Sequence, residues 1–126
     1  MSVKPRVLLI DDSELVCEST KHCLEQGGFE VVTLTSPFGF IKAVRDSAPA
    51  VILIDIGLGT MNGTRLVQLG RQHAARSTRI LLFSGRDDAL LDHDVKLCGA
   101  DGYVNKRVVG AELSQTLRRW MGEFSA

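Results

Sequence analysis

The chain has 126 residues, 44% of them hydrophobic, and its 15 basic and 15 acidic residues cancel to a formal net charge of zero. That length buries one core without staples, and the neutral balance leaves no overall electrostatic footprint for nucleic acid or an anionic membrane. No apolar run approaches bilayer-spanning length, and the short apolar stretch in the opening MSVKPRVLLIDD runs into two acids instead of a cleavage site, so a cytoplasmic location is expected.

The first predicted strand is VLLI, residues 7–10. Behind it Val16, Thr20, Cys23 and Leu24 share one helical face, with Ser13 or Asp12 placed to cap the helix and Gly27-Gly28 to end it. VVTL (31–34) is the second strand, and its partial alternation and threonine put it at a sheet edge. Phe40, Ile41 and Val44 mark a short second helix with Pro37 near its first turn, and VILI (51–54) is the third strand. Leu66, Leu69, Gly70 and Ala74 mark a third helix. ILLF (80–83) is the fourth strand, followed by a helix carrying Leu91, Val95 and Cys98. GYV (102–104), after the turn signal CGAD, is a short fifth strand, and Leu113, Leu117, Trp120 and Phe124 line a fifth helix.

Strands and helices thus alternate five times, and three of the strands are apolar without alternation, as parallel strands covered on both faces are. The expected class is α/β: a flavodoxin-like (βα)5 three-layer sandwich, its parallel sheet in the order 2-1-3-4-5. A classical Rossmann order would need a sixth strand. Residues 1–126 are expected to form one domain with no output domain in this chain. The cysteines, Cys17, Cys23 and Cys98, are odd in number and lack metal-ligand spacing, so they read as buried free thiols on helices.

In this topology ligands bind beyond the carboxyl ends of the strands, where the order reverses between strands 1 and 3. Asp11 and Asp12 follow the first strand, Asp55 the third, Ser84 the fourth, and Lys106 comes soon after the fifth. Each alone has a bland reading: Asp12 and Ser84 as helix caps, Lys106 as a solvated loop lysine. Together they are harder to dismiss, because three converging carboxylates repel one another unless a pKa rises or a cation binds. A hard divalent ion resolves the repulsion, and Mg²⁺ takes one or two carboxylates while recruiting phosphate oxygens. Lys106 adds a positive charge and Ser84 a hydroxyl donor for the same oxygens. Asp55, followed by Gly57 and Gly59, has room for an incoming group, and an aspartate can attack phosphorus to give an acyl phosphate.

Four segments carry a family resemblance: VLLIDDSE, VILIDIGLGTMNG, ILLFSGRDD and CGADGYVNK. In this order and at these separations, the chain resembles the receiver domain of two-component response regulators, of the single-domain chemotaxis type, over essentially its whole length. The resemblance implies that Asp55 accepts a phosphoryl group from a histidine kinase, a phosphotransfer protein or a small phosphodonor. It implies Mg²⁺ as cofactor, held by Asp12 directly, by Asp11 directly or through water, by Asp55, and by the backbone carbonyl of Gly57. Ser84 and Lys106 would contact the phosphoryl oxygens. Tyr103 would change rotamer as Ser84 moves inward, and Gly85 would leave the acceptor accessible. Asn62-Gly63 matches the family's usual Asp/Asn-Gly.

Two positions depart from that pattern. Gly59 stands where the family usually has proline, which predicts a more mobile loop. Arg107 stands where a proline usually follows the lysine, and a trans Lys106–Arg107 bond is expected, since cis before a non-proline residue costs about 2.5–4 kcal/mol. Other suggestive residues are read structurally: His22, His73 and His93 as helical residues off the rim, Asp92-His93-Asp94 as an exposed face, Arg118-Arg119 as a solvated pair, and Trp120 as core.

The leading functional expectation is a phosphorylatable switch, not an enzyme, with its output on helix 4, strand 5 and helix 5. A protein partner or a second copy would dock there, and no nucleic acid or membrane. An aspartyl-phosphate phosphohydrolase would need an acid-base carboxylate two residues past Asp55, where Gly57 stands. A mononucleotide binder would need a phosphate loop after the first strand, where DDSE is acidic. The remaining alternative is a degenerate receiver acting as a phosphorylation-independent interaction module.

Overall fold

The computed structural model describes residues 3–56 and 63–122. Its elements are β1 (Arg6–Ile10), α1 (Glu14–Gln26), β2 (Glu30–Leu34), α2 (Phe40–Ser47), β3 (Val51–Asp55), α3 (Gly63–His73), β4 (Arg79–Ser84), α4 (Asp88–Cys98), β5 (Gly102–Asn105) and α5 (Ala111–Trp120). The strands form one parallel sheet in the order β2-β1-β3-β4-β5, as expected, with β2 at an edge.

Alternation along each strand divides the core in two. Val7, Leu9, Val51, Leu53, Leu81, Phe83 and Val104 face α1 and α5. Leu8, Ile10, Ile52, Ile54, Ile80 and Leu82 face the other way, against Phe40 and Val44 of α2 and Leu66 and Val67 of α3. Both faces of β1, β3 and β4 are therefore covered, which is why these strands read as unbroken apolar runs. The edge strand β2 keeps only Val31 fully buried.

Ser13, not Asp12, caps α1: its Oγ accepts from Val16 N–H at 3.2 Å. Ser84 does not cap α4. It is the last residue of β4, and Asp87 occupies the cap position three residues on. Of the thiols only Cys17 is fully buried, while Cys23 and Cys98 are half-buried, because those helix positions lie at the margins of the two core faces. Trp120 is also half-buried. Its ring covers Gly102 so closely that a Cβ there would lie 2.3 Å from it, which is how β5 accommodates the indole. Phe124 lies outside the described residues.

Arg118 is not merely solvated. Its guanidinium donates to the Gly27 carbonyl at 2.7 Å and lies 4.6 Å from the Phe29 ring centroid, closing the seam between α5 and the end of α1.

Candidate functional site

The rim of the sheet begins with Asp11, one residue past β1. Its N–H donates to the Leu34 carbonyl at 3.0 Å, which continues the pairing of β1 with β2 and points the carboxylate away from solvent. The side chain is fully buried. Oδ1 accepts from Ser13 N–H at 3.0 Å, so the turn into α1 fixes the carboxylate as well as the helix. Oδ2 accepts no well-aligned hydrogen bond, but Lys106 Nζ lies 2.7 Å from it. Below Asp11, the Cys17 thiol donates to its backbone carbonyl at 3.3 Å. Burial, then the Asp11 charge, push that thiol's pKa up, which marks it as a packing group and not a nucleophile.

Asp55 ends β3 and is 7% exposed, whereas Asp12 stands in solvent. One oxygen from each of Asp11, Asp12 and Asp55 comes within 4.8 Å of the others, and among the described residues this is the single cluster of its kind. Asp55 Oδ1 is 3.6 Å from Lys106 Nζ. Lys106 thus reaches both buried carboxylates from the β5–α5 connection, its ammonium 5.5 Å from the Phe83 ring centroid and its N–H donating to the Ser84 carbonyl at 2.8 Å.

Three carboxylates against one ammonium leave an excess of negative charge in a half-enclosed place. All the side-chain donors are oxygens, one of them buried and without a hydrogen bond. This set fits a small hard cation such as Mg²⁺ and does not resemble a nitrogen–sulfur site.

Ser84 is buried, and its Oγ accepts from Arg86 N–H at 3.1 Å. A methyl group at Gly85 would meet no atom within 4 Å, so packing in this conformation does not itself demand glycine there. Tyr103 is half-buried on the face that carries α4. Desolvation, then the charges of Asp88 and Asp92, raise its pKa, keeping the phenol protonated. The Lys106–Arg107 bond is trans, as the cost of a non-proline cis bond predicted. Gly57, Gly59 and Asn62 lie outside the described residues.

The histidines stay apart from this rim. His22 and His93 are exposed, and His73 lies 3.0 Å from an Arg45 nitrogen at the far side of α2. Asp94 is less exposed than its neighbours suggest, because it turns toward Arg86 at 3.2 Å. One residue escaped the sequence reading altogether. Asn105, the last residue of β5 and next to Lys106, is buried and ties the turn at Lys106 to the segment just after Ser84.

The fold and rim together define a doubly wound α/β domain with a cation-attracting carboxylate pocket at its topological switch point. The sequence model of the response regulator receiver domain matches residues 7–118, and the chain belongs to that family of phosphoacceptor switches in two-component signalling. Among curated relatives, the transcriptional regulatory protein CseB of Streptomyces avermitilis is 28% identical over 98% of this chain, which spans 52% of CseB. The chain is thus about half the length of that relative. Protein PilG of Pseudomonas aeruginosa is 24% identical, the match covering 95% of this chain and 90% of PilG. Among solved structures, the chemotaxis protein CheY4 of Vibrio cholerae superposes with a TM-score of 0.81 at 25% identity, covering 93% of this chain and 98% of CheY4. A CheY-like receiver domain protein from Methanospirillum hungatei also gives 0.81, at 24% identity and 96% coverage of both chains. No helix among the described residues is long and apolar enough to cross a membrane.

Proposed function

We propose that residues 1–126 act as one cytoplasmic receiver unit in which Asp55 is the phosphoryl acceptor. The group comes from a sensor histidine kinase or a phosphotransfer protein, and its arrival switches a protein-binding surface on α4, β5 and α5. One observation carries the reading: Asp11, Asp12 and Asp55 converge within 4.8 Å, with the Lys106 ammonium against two of them.

In the transfer, a carboxylate oxygen of Asp55 attacks phosphorus. The bond from phosphorus to the donor's imidazole nitrogen breaks, its electron pair stays with the imidazole, and an acyl phosphate is left on Asp55. Asp11, Asp12 and Asp55 would hold Mg²⁺, with the Gly57 carbonyl as the further ligand the family resemblance implies, and the ion would supply positive charge to offset the phosphoryl oxygens. Lys106 offers the fixed cation of the site, already poised between Asp11 and Asp55. The Ser84 hydroxyl donates a hydrogen bond to a phosphoryl oxygen as Ser84 moves inward from the Arg86 N–H it now accepts from. That movement opens space on the α4 side of the sheet, into which Tyr103 turns.

Intact-protein mass spectrometry after acetyl phosphate treatment, with and without Mg²⁺, tests the reading. One phosphoryl group is expected, dependent on Mg²⁺ and absent in Asp55→Asn. Equal labelling of that variant would reject the assignment, and an unlabelled wild type would favour an interaction module that does not use phosphate.

A further inference from the structure

Asn105 ends β5 beside Lys106 and is only 7% exposed. Its Nδ2 donates to the Arg86 carbonyl at 2.8 Å and to Asp88 Oδ1 at 3.1 Å. Its Oδ1 accepts from Arg107 N–H at 2.9 Å and from Arg107 Nε–H at 3.1 Å. Both donor hydrogens and both acceptor lone pairs are therefore used. The partners also fix which way the amide points, because a flipped amide would set oxygen against two acceptors and nitrogen against two donors.

The bond to Arg107 N–H closes an Asx turn across Lys106. Lys106, whose ammonium reaches Asp11 and Asp55, is thus the middle residue of a turn that Asn105 holds. At the amide's other end lies the segment that carries Ser84. Arg86 N–H donates to Ser84 Oγ, and the Arg86 carbonyl accepts from Asn105 Nδ2. Arg107 Nη2 and Asn105 Nδ2 also converge on Asp88 Oδ1, the former at 3.9 Å, at the first residue of α4. The N–H that Asn105 captures at position 107 is one that proline would lack. An amide brace with a trans bond stands where ring geometry would otherwise set the turn.

We propose that Asn105 is a positioning residue for phosphoryl uptake. It aims Lys106 at the acidic pocket and fixes its spacing from Ser84 without touching the phosphoryl group. The inference rests on Asp55 being the acceptor. Valine at this position would fill similar space but leave the Arg86 carbonyl and Arg107 N–H without a partner. Aspartate would keep an acceptor for Arg107 but set negative charge against the Arg86 carbonyl and Asp88.

The test compares wild type with Asn105→Val, Asn105→Asp and Ile80→Val. The last is a buried change near the opposite end of β4 from Ser84, and it serves as a stability control. Mg²⁺ affinity is read by calorimetry, and affinity for the phosphoryl mimic beryllofluoride by fluorine NMR at saturating Mg²⁺. Mg²⁺ affinity is expected to hold in all four proteins, while both Asn105 variants bind beryllofluoride about tenfold or more weakly. Ile80→Val should bind like wild type. The aspartate variant, which keeps the residue's size, stands in where valine does not fold. Wild-type or tighter beryllofluoride binding by the Asn105 variants overturns the proposal, as does a parallel loss of Mg²⁺. A wild type that binds no beryllofluoride sinks the acceptor reading itself, and the role of Asn105 falls with it.

Discussion

Helices α1 and α4 both leave the functional rim, yet they are held differently. α1 starts from a serine whose Oγ accepts an N–H of its first turn, and it buries Cys17, Thr20 and Leu24. α4 starts from Asp87, which makes no side-chain cap bond, and Leu91 is its single fully buried residue. Leu90 and Leu97 of α4 instead face solvent, 46% and 65% exposed. The helix that carries the start of the acidic pocket is anchored, and the helix that follows Ser84 is lightly attached. A switch works best this way, since a segment with few buried contacts shifts at small cost while the half that bears the acidic cluster keeps its shape.

The largest expected effect comes from cutting each helix's anchor. Leu24→Ala should cost about 2–5 kcal/mol of global stability, read by denaturant unfolding, because it opens a cavity in a fully packed layer. Leu91→Ala removes the same atoms, but its effect should concentrate in α4. Amide exchange there should quicken well before the whole molecule unfolds. Equal global losses with uniform exchange would mean that α4 is as integral to the core as α1.

Asp101 offers a finer probe, because it pins the far end of α4 where Asn105 and Asp88 brace the near end. Its Oδ2 accepts from Ile80 N–H at 2.8 Å, and Oδ1 pairs with an Arg71 nitrogen at 2.8 Å. Burial pushes its pKa up, but the Arg71 hydrogen bond, the Ile80 N–H and nearby arginine charge outweigh that and hold it below the usual carboxylate value. A depressed folded pKa stabilises the protein above the unfolded value of about 3.9. That contribution is lost as pH falls through the folded pKa. Asp101→Asn should therefore destabilise at neutral pH by about 1–3 kcal/mol, keep the Ile80 bond, and flatten the stability profile below about pH 4. An unchanged acid profile would show that other carboxylates govern acid unfolding.

The same contrast explains what was legible in the sequence. β1, β3 and β4 announced themselves because burial on both faces forces every position to be apolar, and the short connections then left little choice of topology. Asp11, Asp55 and Lys106 were legible because strand ends in a known order must share one rim. For Ser84 a helix-cap role stood beside the rim role, because a serine shortly before a helical pattern looks the same whether it ends a strand or begins a helix. Residues 85–87 intervene. Asn105 and Arg118 were missed for a different reason. Their partners, Arg86 and Asp88 for one, Gly27 and Phe29 for the other, are distant in sequence and mostly backbone groups or rings, so no local spacing reveals them.

The smallest expected effect is the most telling for output. Leu90 and Leu97 lie seven residues apart on α4 and so share one side of the helix, and among the described residues both stay exposed. Leu97→Ala should change stability by less than about 0.5 kcal/mol, since the side chain is largely in water already. It should also leave Asp55 labelling by acetyl phosphate unaltered, because Leu97 sits at the opposite end of α4 from the Asp88 and Asn105 brace. If this side of α4 carries the phosphorylation-dependent contact, the variant will still show beryllofluoride-induced NMR shifts in β5 and α5. Its loss will appear only in the binding of a cognate partner or in self-association of the loaded protein. A variant that loses stability or labelling instead would make Leu97 part of the domain's own structure, and the output face would then have to lie elsewhere on the molecule.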